Sequence, residues 1–367
     1  MVVNELLLTP VAELPTKESP EYVRISMASA IALHMRSGRF SRDFGFGGIN
    51  VLLSYERGCR SDCGYCGLAR TRPGNYADKS FIRVEWPLVR TDDLVERMSQ
   101  LEPALTRLCI SMVTHGRAYR DTCDIARRIS ERVRTPVSIL VAPPTVTRER
   151  LANLSSMGVD MIGIGLDAVT EQLFKSTRSE VPAGGLKWEK YWDVLTDSRE
   201  IFGPWKVNVH TVVGLGESDE DLVRLFQVLR EREVLSYLFC FNPEPGSRMA
   251  ERGQPELRRW RRIQLARHLV EAERCDLDVF SFGDDGSIAQ VRTPRTTLDH
   301  VVADGRAFMT DGCPGEGDTP GCTRPYGSYR PVEAFRDYPF VPNGDDLEEI
   351  GRQLQLDDIV AQDGKVV

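Results

Sequence analysis

Apolar and polar positions along the chain repeat in two rhythms. Short apolar runs, of which Ile49-Asn50-Val51-Leu52-Leu53-Ser54-Tyr55 is the first clear case, predict buried strands. Further strands are expected at 107–112, 136–141, 159–166, 206–213 and 235–241. Between them, apolar residues three or four apart predict helices at 92–101, 120–132, 148–156, 188–201 and 219–232, with another at 255–273. Strand–helix alternation of this kind makes a parallel sheet. The fold expected is α/β, a partial (β/α)6 barrel of TIM type, although the length also suits a full barrel and 277–282 could add a strand. In either case the chemistry belongs on loops at the strand C-termini.

The ends of the chain follow other patterns. Ser19-Pro20-Glu21 has the marks of a helix start: an N-cap serine, proline at the first helical position and an acid in the first turn. Apolar positions up to about Arg36 extend it, so residues 1–40 are expected as an N-terminal helical extension and 41–290 as the barrel. Beyond 290 the periodicity fades. Residues 304–345 are rich in Gly, Pro, Asp and aromatics, and a short helix is expected at 345–354 within a C-terminal segment, 291–367.

Three thiols stand in eight residues directly after the first strand, in Cys59-Arg60-Ser61-Asp62-Cys63-Gly64-Tyr65-Cys66. A CxxxCxxC loop in that place can hold three irons of a [4Fe–4S] cluster and leave the fourth iron open to a small molecule. Zinc would want a fourth Cys or His nearby, and none occurs in the next forty residues. Spacing and Tyr65 together resemble the signature of radical S-adenosylmethionine (SAM) enzymes. That resemblance implies a cluster on Cys59, Cys63 and Cys66 that binds SAM, with Tyr65 beside it, and a reductant such as flavodoxin or ferredoxin.

Other stretches narrow the resemblance. Val213-Gly214-Leu215-Gly216-Glu217, at a strand end, resembles the glycine-rich stretch of the biotin synthase group, where a bare backbone lets the ligand approach. Ile164-Gly165-Leu166-Asp167 puts an acid where that group binds the SAM ribose or substrate; an N-cap for a helix beginning near Val169 is the alternative role for Asp167. With Arg83-Val84-Glu85-Trp86-Pro87 and the stretches 107–111, 162–171, 188–192, 261–269 and 307–325, the chain is most similar to biotin-synthase-like proteins that include the second subunit of archaeal two-component lipoyl synthase. The resemblance implies sulfur insertion from an auxiliary Fe–S cluster.

Its ligands are expected to be Cys313, Cys322 and Cys109, the last reaching from the barrel mouth, with Cys240, Cys275 or a non-thiol as a fourth. The irregular C-terminal segment should then fold over that mouth. Two departures from the families accompany this. Biotin synthase holds its second cluster on several strands, and the positions corresponding to its other thiols carry Ser138, Asn208 and His210 here. The lipoyl-type run after the cysteines is altered too, to Arg324-Pro325-Tyr326-Gly327-Ser328-Tyr329-Arg330-Pro331. A natural-product sugar or nucleotide is therefore an alternative substrate to a lipoyl-type chain. Substrate contacts are expected from His115, Arg261 and Arg324. Cys123 and Cys240 are expected as inert packing thiols, and His210 as a satisfied core imidazole.

Composition excludes some function classes. A net charge of −7 argues against broad nucleic-acid or membrane-surface binding. No apolar run approaches a membrane span. Nine unevenly placed cysteines suit a reducing cytoplasm and metal chemistry better than a disulfide framework. Two rival functions remain at this level: a radical SAM hydroxylase or rearrangement enzyme without sulfur insertion, and a non-catalytic Fe–S or zinc protein.

Overall fold

The structure, a computed structural model, describes residues 16–179, 186–315, 320–328 and 333–360. Its first element is a strand, β1 (Tyr22–Ile25), followed by the short helix α1 (Met27–Ala32). The segment expected as one N-terminal helix thus gives residues 22–25 to the sheet. Ser26, not Ser19, caps the helix, accepting from Ser29 N. Ser19 Oγ instead donates to Tyr22 O and receives Ser54 N–H, which ties the chain to the end of the next strand.

From there β2 (Gly48–Leu53), β3 (Leu88–Arg90), α2 (Thr91–Leu101), β4 (Arg107–Ser111), α3 (Ala118–Ser130) and β5 (Val137–Val141) follow. Then come α4 (Arg148–Ser156), β6 (Met161–Asp167), α5 (Glu171–Phe174), α6 (Trp188–Phe202), β7 (Val207–Val213), α7 (Asp219–Glu231), β8 (Leu235–Cys240) and α8 (Leu257–Glu271). Strand order is β3-β1-β2-β4-β5-β6-β7-β8. The six strands from β2 to β8 pair in parallel, and β1 and β3 add antiparallel at one edge. This is the partial TIM-type barrel expected from the pattern. Strong local signals set the helices: α7 begins in a capping box between Ser218 and Asp221, with three acids in its first turn.

After the barrel, β9 (Phe280–Phe282) pairs with β10 (Ile288–Val291) in a separate hairpin, so 277–282 does not extend the barrel sheet. Helices α9 (Arg295–Asp304) and α10 (Gly344–Leu354) complete the chain. The segment between them lies along the open side of the barrel. There Asp311 Oδ2 accepts Leu238 N–H at 2.8 Å, giving a partner to an amide on the sheet edge.

That segment approaches from the floor. Arg107 Nε donates to Pro314 O at 2.7 Å, Thr106 Oγ1 donates to Gly321 O at 2.7 Å, and Gly48 has no side chain because a Cβ would stand 2.7 Å from Gly321 O. All three contacts are at the N-terminal ends of β2 and β4. The expectation that the segment folds over the barrel mouth is therefore corrected for its part around Pro314 and Gly321, which closes the opposite end, while Arg324 and Pro325 reach the cavity.

Among the described residues, no helix is long and apolar enough to cross a membrane.

Candidate active site

The loop after β2 is fixed mainly by backbone bonds. Arg60 N donates to Thr114 O, Gly64 N to Thr177 O at 2.7 Å, and Met249 N to Gly64 O at 3.0 Å, so three separate loops hold the cysteine turn. Asp62 braces it from within, accepting from Thr71 N at 2.9 Å and Thr71 Oγ1 at 2.7 Å. Gly67 is required for contact, since a Cβ there would lie 2.2 Å from Ser80 O.

Cys59, Cys63 and Cys66 face a cavity of about 200 Å³ at the strand C-termini. Burial, then the nearby Cys63, raises the pKa of both the Cys59 and Cys66 thiols. Backbone N–H groups oppose the shift; Leu68 N donates to Cys66 Sγ at 3.4 Å. These donors favour thiolate, the form that iron binds.

Across the cavity Tyr65 OH donates to Asp167 Oδ2 at 2.5 Å. Asp167 ends β6 at φ 61°, a left-handed conformation that non-glycine residues adopt only when their surroundings hold them. Arg178 supplies part of that hold. It stands 3.3 Å from Asp167 Oδ2, donates to Leu166 O at 2.7 Å and to Tyr191 OH at 3.2 Å, and lies on the Phe174 and Tyr191 rings. The helix-cap role for Asp167 falls away, because Thr170 caps α5.

Beneath this layer the wall is mostly apolar, with Leu52, Met112, Leu140, Val212 and Phe239, interrupted by Ser111, His210 and Arg324. Burial, then the Arg324 charge, lowers the His210 pKa to about 3, so its ring is neutral. Arg324 Nη1 donates to Ser111 Oγ at 3.0 Å, and the guanidinium rests over Phe81 and Trp86 at 5.0 and 5.5 Å. Arg324 is thus the one expected substrate residue of the three that lines this cavity.

The floor holds the other thiols. Cys109 sits in β4, in register with Asn50 of β2 and Ser138 of β5. Cys313 and Cys322 reach this level as opposed residues of a hairpin, joined by Cys322 N to Cys313 O at 3.0 Å. Burial, then Cys109, pushes the Cys313 thiol up to about 12, while Arg107 and the Ser138 and Tyr237 hydroxyls act against it. Asn208 Nδ2 also approaches Cys313 Sγ at 3.5 Å. Burial, then Cys109 and Cys313, raises the Cys322 pKa further, opposed by the Arg324 backbone N–H. The chain thus brings sulfur from its C-terminal hairpin to Ser138 and Asn208, where the strands themselves carry none. Of the fourth ligands considered, Cys275 lies outside the barrel against Thr293 Oγ1 at 3.8 Å, and Cys240 lines the upper cavity.

Several expected site residues lie elsewhere. Glu217 accepts from the amides of Gly214, Leu215 and Gly216 at 2.7–3.0 Å and pairs with Arg259, so it braces its own turn. Gly214 is needed for packing, as a Cβ would stand 2.7 Å from Pro255 Cγ. None of Gly214, Gly216 and Glu217 lines the cavity. His115 stacks on Tyr55 at 3.8 Å, outside it.

Arg261 is fully buried beneath the C-terminal segment, donating to Gln353 Oε1, Gln264 Oε1, Arg336 O and Phe335 O. Its role is to fasten that segment to α8, not to bind substrate. Arg261→Met is expected to cost about 3 kcal/mol in urea unfolding, because buried oxygens would lose a charged donor. Unchanged stability would refute the assignment.

The residues missed from sequence are Arg178, Tyr191, His210 and Glu244. Glu244 is buried in the upper wall, where it accepts from Ser80 Oγ at 2.7 Å and Arg83 N at 2.6 Å.

Among the described residues, no three His, Cys, Asp or Glu side chains close around a point that one metal ion could occupy. Zinc requires such convergence. Thiolates that bind separate irons of a cluster do not.

The sequence model of the radical SAM superfamily matches residues 53–229, from the end of β2 through most of α7. Biotin synthase from Persephonella marina is 29% identical over 208 residues, 53% of this chain and 55% of that protein, so the match spans about half the length of the curated relative. The FeFe-hydrogenase maturase HydG from Carboxydothermus hydrogenoformans superposes with a TM-score of 0.47 at 13% identity, over 90% of this chain and 70% of that one. SuiB from Streptococcus suis, bound to precursor peptide SuiA, gives a TM-score of 0.46 at 13% identity, over 63% of this chain and 47% of the other. Residues 53–229 thus match the radical SAM superfamily, and the chain is similar to biotin synthase over about half its length.

Proposed function

We propose that the chain is a sulfur-inserting radical SAM enzyme. Cys59, Cys63 and Cys66 hold a [4Fe–4S] cluster with one iron left for SAM, and Cys109, Cys313 and Cys322 hold an auxiliary Fe–S cluster. The observation that carries this reading is a single barrel interior with three thiols above its cavity and three below. When bound, the upper cluster and SAM supply a 5′-deoxyadenosyl radical able to take hydrogen from an unactivated carbon.

The chain's own residues position and protect. Tyr65 and Arg178 hold the Asp167 carboxylate toward the cavity, where it can accept hydroxyl groups of the SAM ribose. The apolar wall keeps water from a reactive carbon. Arg324, charged and fixed by Ser111 and two aromatic rings, offers one anchor for a substrate carbonyl or anion. The neutral His210 ring adds a polar contact without adding charge. Substrates of suitable kind are a lipoyl-type acyl chain or a natural-product sugar or nucleotide.

Iron and acid-labile sulfide per chain test the reading after anaerobic reconstitution. About eight irons are expected for two four-iron clusters. About four, with SAM still cleaved, would leave a radical SAM enzyme that does not donate sulfur, such as a hydroxylase or rearrangement enzyme.

A further inference from the structure

Cys109, Cys313 and Cys322 offer three thiols at the barrel floor, and a four-iron cluster has four corners. The other two thiols considered for the last corner stand elsewhere, Cys275 beside Thr293 outside the barrel and Cys240 in the wall of the upper cavity. The fourth ligand must then be a side chain other than cysteine, placed between the floor and the cavity. The inward face of β7 runs from one to the other. Asn208 Nδ2 lies 3.5 Å from Cys313 Sγ, and two residues further along the same face His210 lines the cavity.

His210 is not the satisfied core imidazole expected from the sequence. Among the described residues neither ring nitrogen has a hydrogen-bond partner. Packing alone holds the ring, with Phe239 at 4.7 Å and Tyr237 at 6.1 Å between centroids. Its Nε2 is turned toward Gly163 of β6, where an added Cβ would stand 3.4 Å from Nε2 and 2.9 Å from Asn208 Oδ1. That oxygen is itself buried without a partner. The bare backbone of Gly163 thus leaves open space at two uncommitted polar atoms. Neighbouring groups are engaged otherwise. Ser138 Oγ donates to Leu108 O, and Asn50 Oδ1 receives Cys322 Sγ at 3.6 Å. Arg324 donates to Ser111, and a guanidinium keeps its protons and has no acceptor to offer iron. Imidazole suits iron, and it replaces thiolate in one class of Fe–S centre.

We propose that His210 Nε2 is the fourth ligand of the auxiliary cluster, completing a set of three cysteines and one histidine with Cys109, Cys313 and Cys322. The proposal rests on the auxiliary-cluster reading of those three thiols. The ring then borders the cavity as an iron ligand, and its contact with substrate is made from that position.

The test removes the upper cluster and reads the lower one by spectroscopy. After anaerobic reconstitution, Cys59→Ala/Cys63→Ala/Cys66→Ala should hold about four irons. Reduced with dithionite, it should show nitrogen hyperfine coupling in pulsed electron paramagnetic resonance. The pattern should change from ¹⁴N to ¹⁵N when the protein is grown on ¹⁵N-labelled histidine, which separates histidine from arginine or backbone nitrogen. Of the five histidines only His210 lines the cavity, and His210→Ala in the same background should abolish the coupling. His210→Cys should abolish it too, yet keep the iron and move the midpoint potential to more negative values, as thiolate replaces neutral imidazole. About four irons without histidine coupling, or a coupling that survives in the His210→Cys protein, overturns the ligand and leaves the cluster standing. No iron in the triple variant overturns the auxiliary cluster, and its fourth ligand with it.

Discussion

Cys63→Ala is expected to reduce SAM cleavage to background and to lower bound iron by about half, to near four per chain. Cys63 is the buried thiol of the three, and its charge acts on both neighbours, raising Cys59 and Cys66. Two remaining thiolates cannot fix a cubane with one iron held open toward the cavity. The loop itself should survive the change, because its anchors are backbone groups: Gly64 N to Thr177 O, Cys66 N to Cys63 O and Arg60 N to Thr114 O. Loss of activity would then report loss of the metal site and not of the fold, which circular dichroism and urea unfolding check. The iron that remains should belong to the floor. Undiminished 5′-deoxyadenosine production by Cys63→Ala would end the assignment of this loop.

The sequence revealed the barrel more fully than it revealed the site, for a physical reason. Strands buried on both faces leave continuous apolar runs, and helices covering a sheet keep a helical period, so β2 and β4 to β8, with α2 to α4 and α6 to α8, are visible within a few residues, whereas the three-residue β3 and four-residue α5 are too short to show a period. What was hidden depended on contacts far apart in the chain. Residues 22–25 look like part of a helix until Val23 and Arg24 find Leu53 and Leu52 across the sheet. Arg178 looks like any surface arginine, and only the fold of α5 and the following turn brings it to Asp167, Tyr191 and the Leu166 carbonyl. His210 does leave a signal in the sequence. Asn208, His210 and Val212 alternate along β7 and share its inward face, and two polar residues on that face mark a polar interior. Cys109, Cys313 and Cys322 do lie near one another, at a place the sequence does not indicate. The family resemblance implies Cys109, Cys313 and Cys322; the contacts of Gly48, Thr106 and Arg107 show that the hairpin enters from the strand N-termini.

That location changes what the double variant Cys313→Ala/Cys322→Ala should do. If the two thiols hold an auxiliary cluster with Cys109, the variant should keep about half the parent's iron, the complement of the Cys63→Ala result. It should still cleave SAM with dithionite, since the upper loop is anchored to Thr114, Thr177 and Met249 and not to the hairpin. It should give no thiolated product from any substrate the parent converts. The hairpin backbone should persist in the variant: Gly321 N and Cys322 N both donate to Cys313 O, and Thr106 and Arg107 bind its carbonyls from the barrel floor. A substrate carbon made reactive by the upper site can meet sulfur only if the sulfur stands at the other end of the same cavity, near van der Waals contact. Cys109, Cys313 and Cys322 do not themselves line the cavity, whose wall toward them includes His210 and Arg324, and their floor position leaves the mouth free for SAM and substrate to enter. The polar groups around Cys313, namely Ser138, Tyr237 and Asn208, would then serve as hydrogen-bond donors to bound thiolate instead of ordinary core polar residues. A full iron complement with unchanged product in the double variant would make both thiols structural. It would also transfer the cavity to chemistry that needs only the upper site.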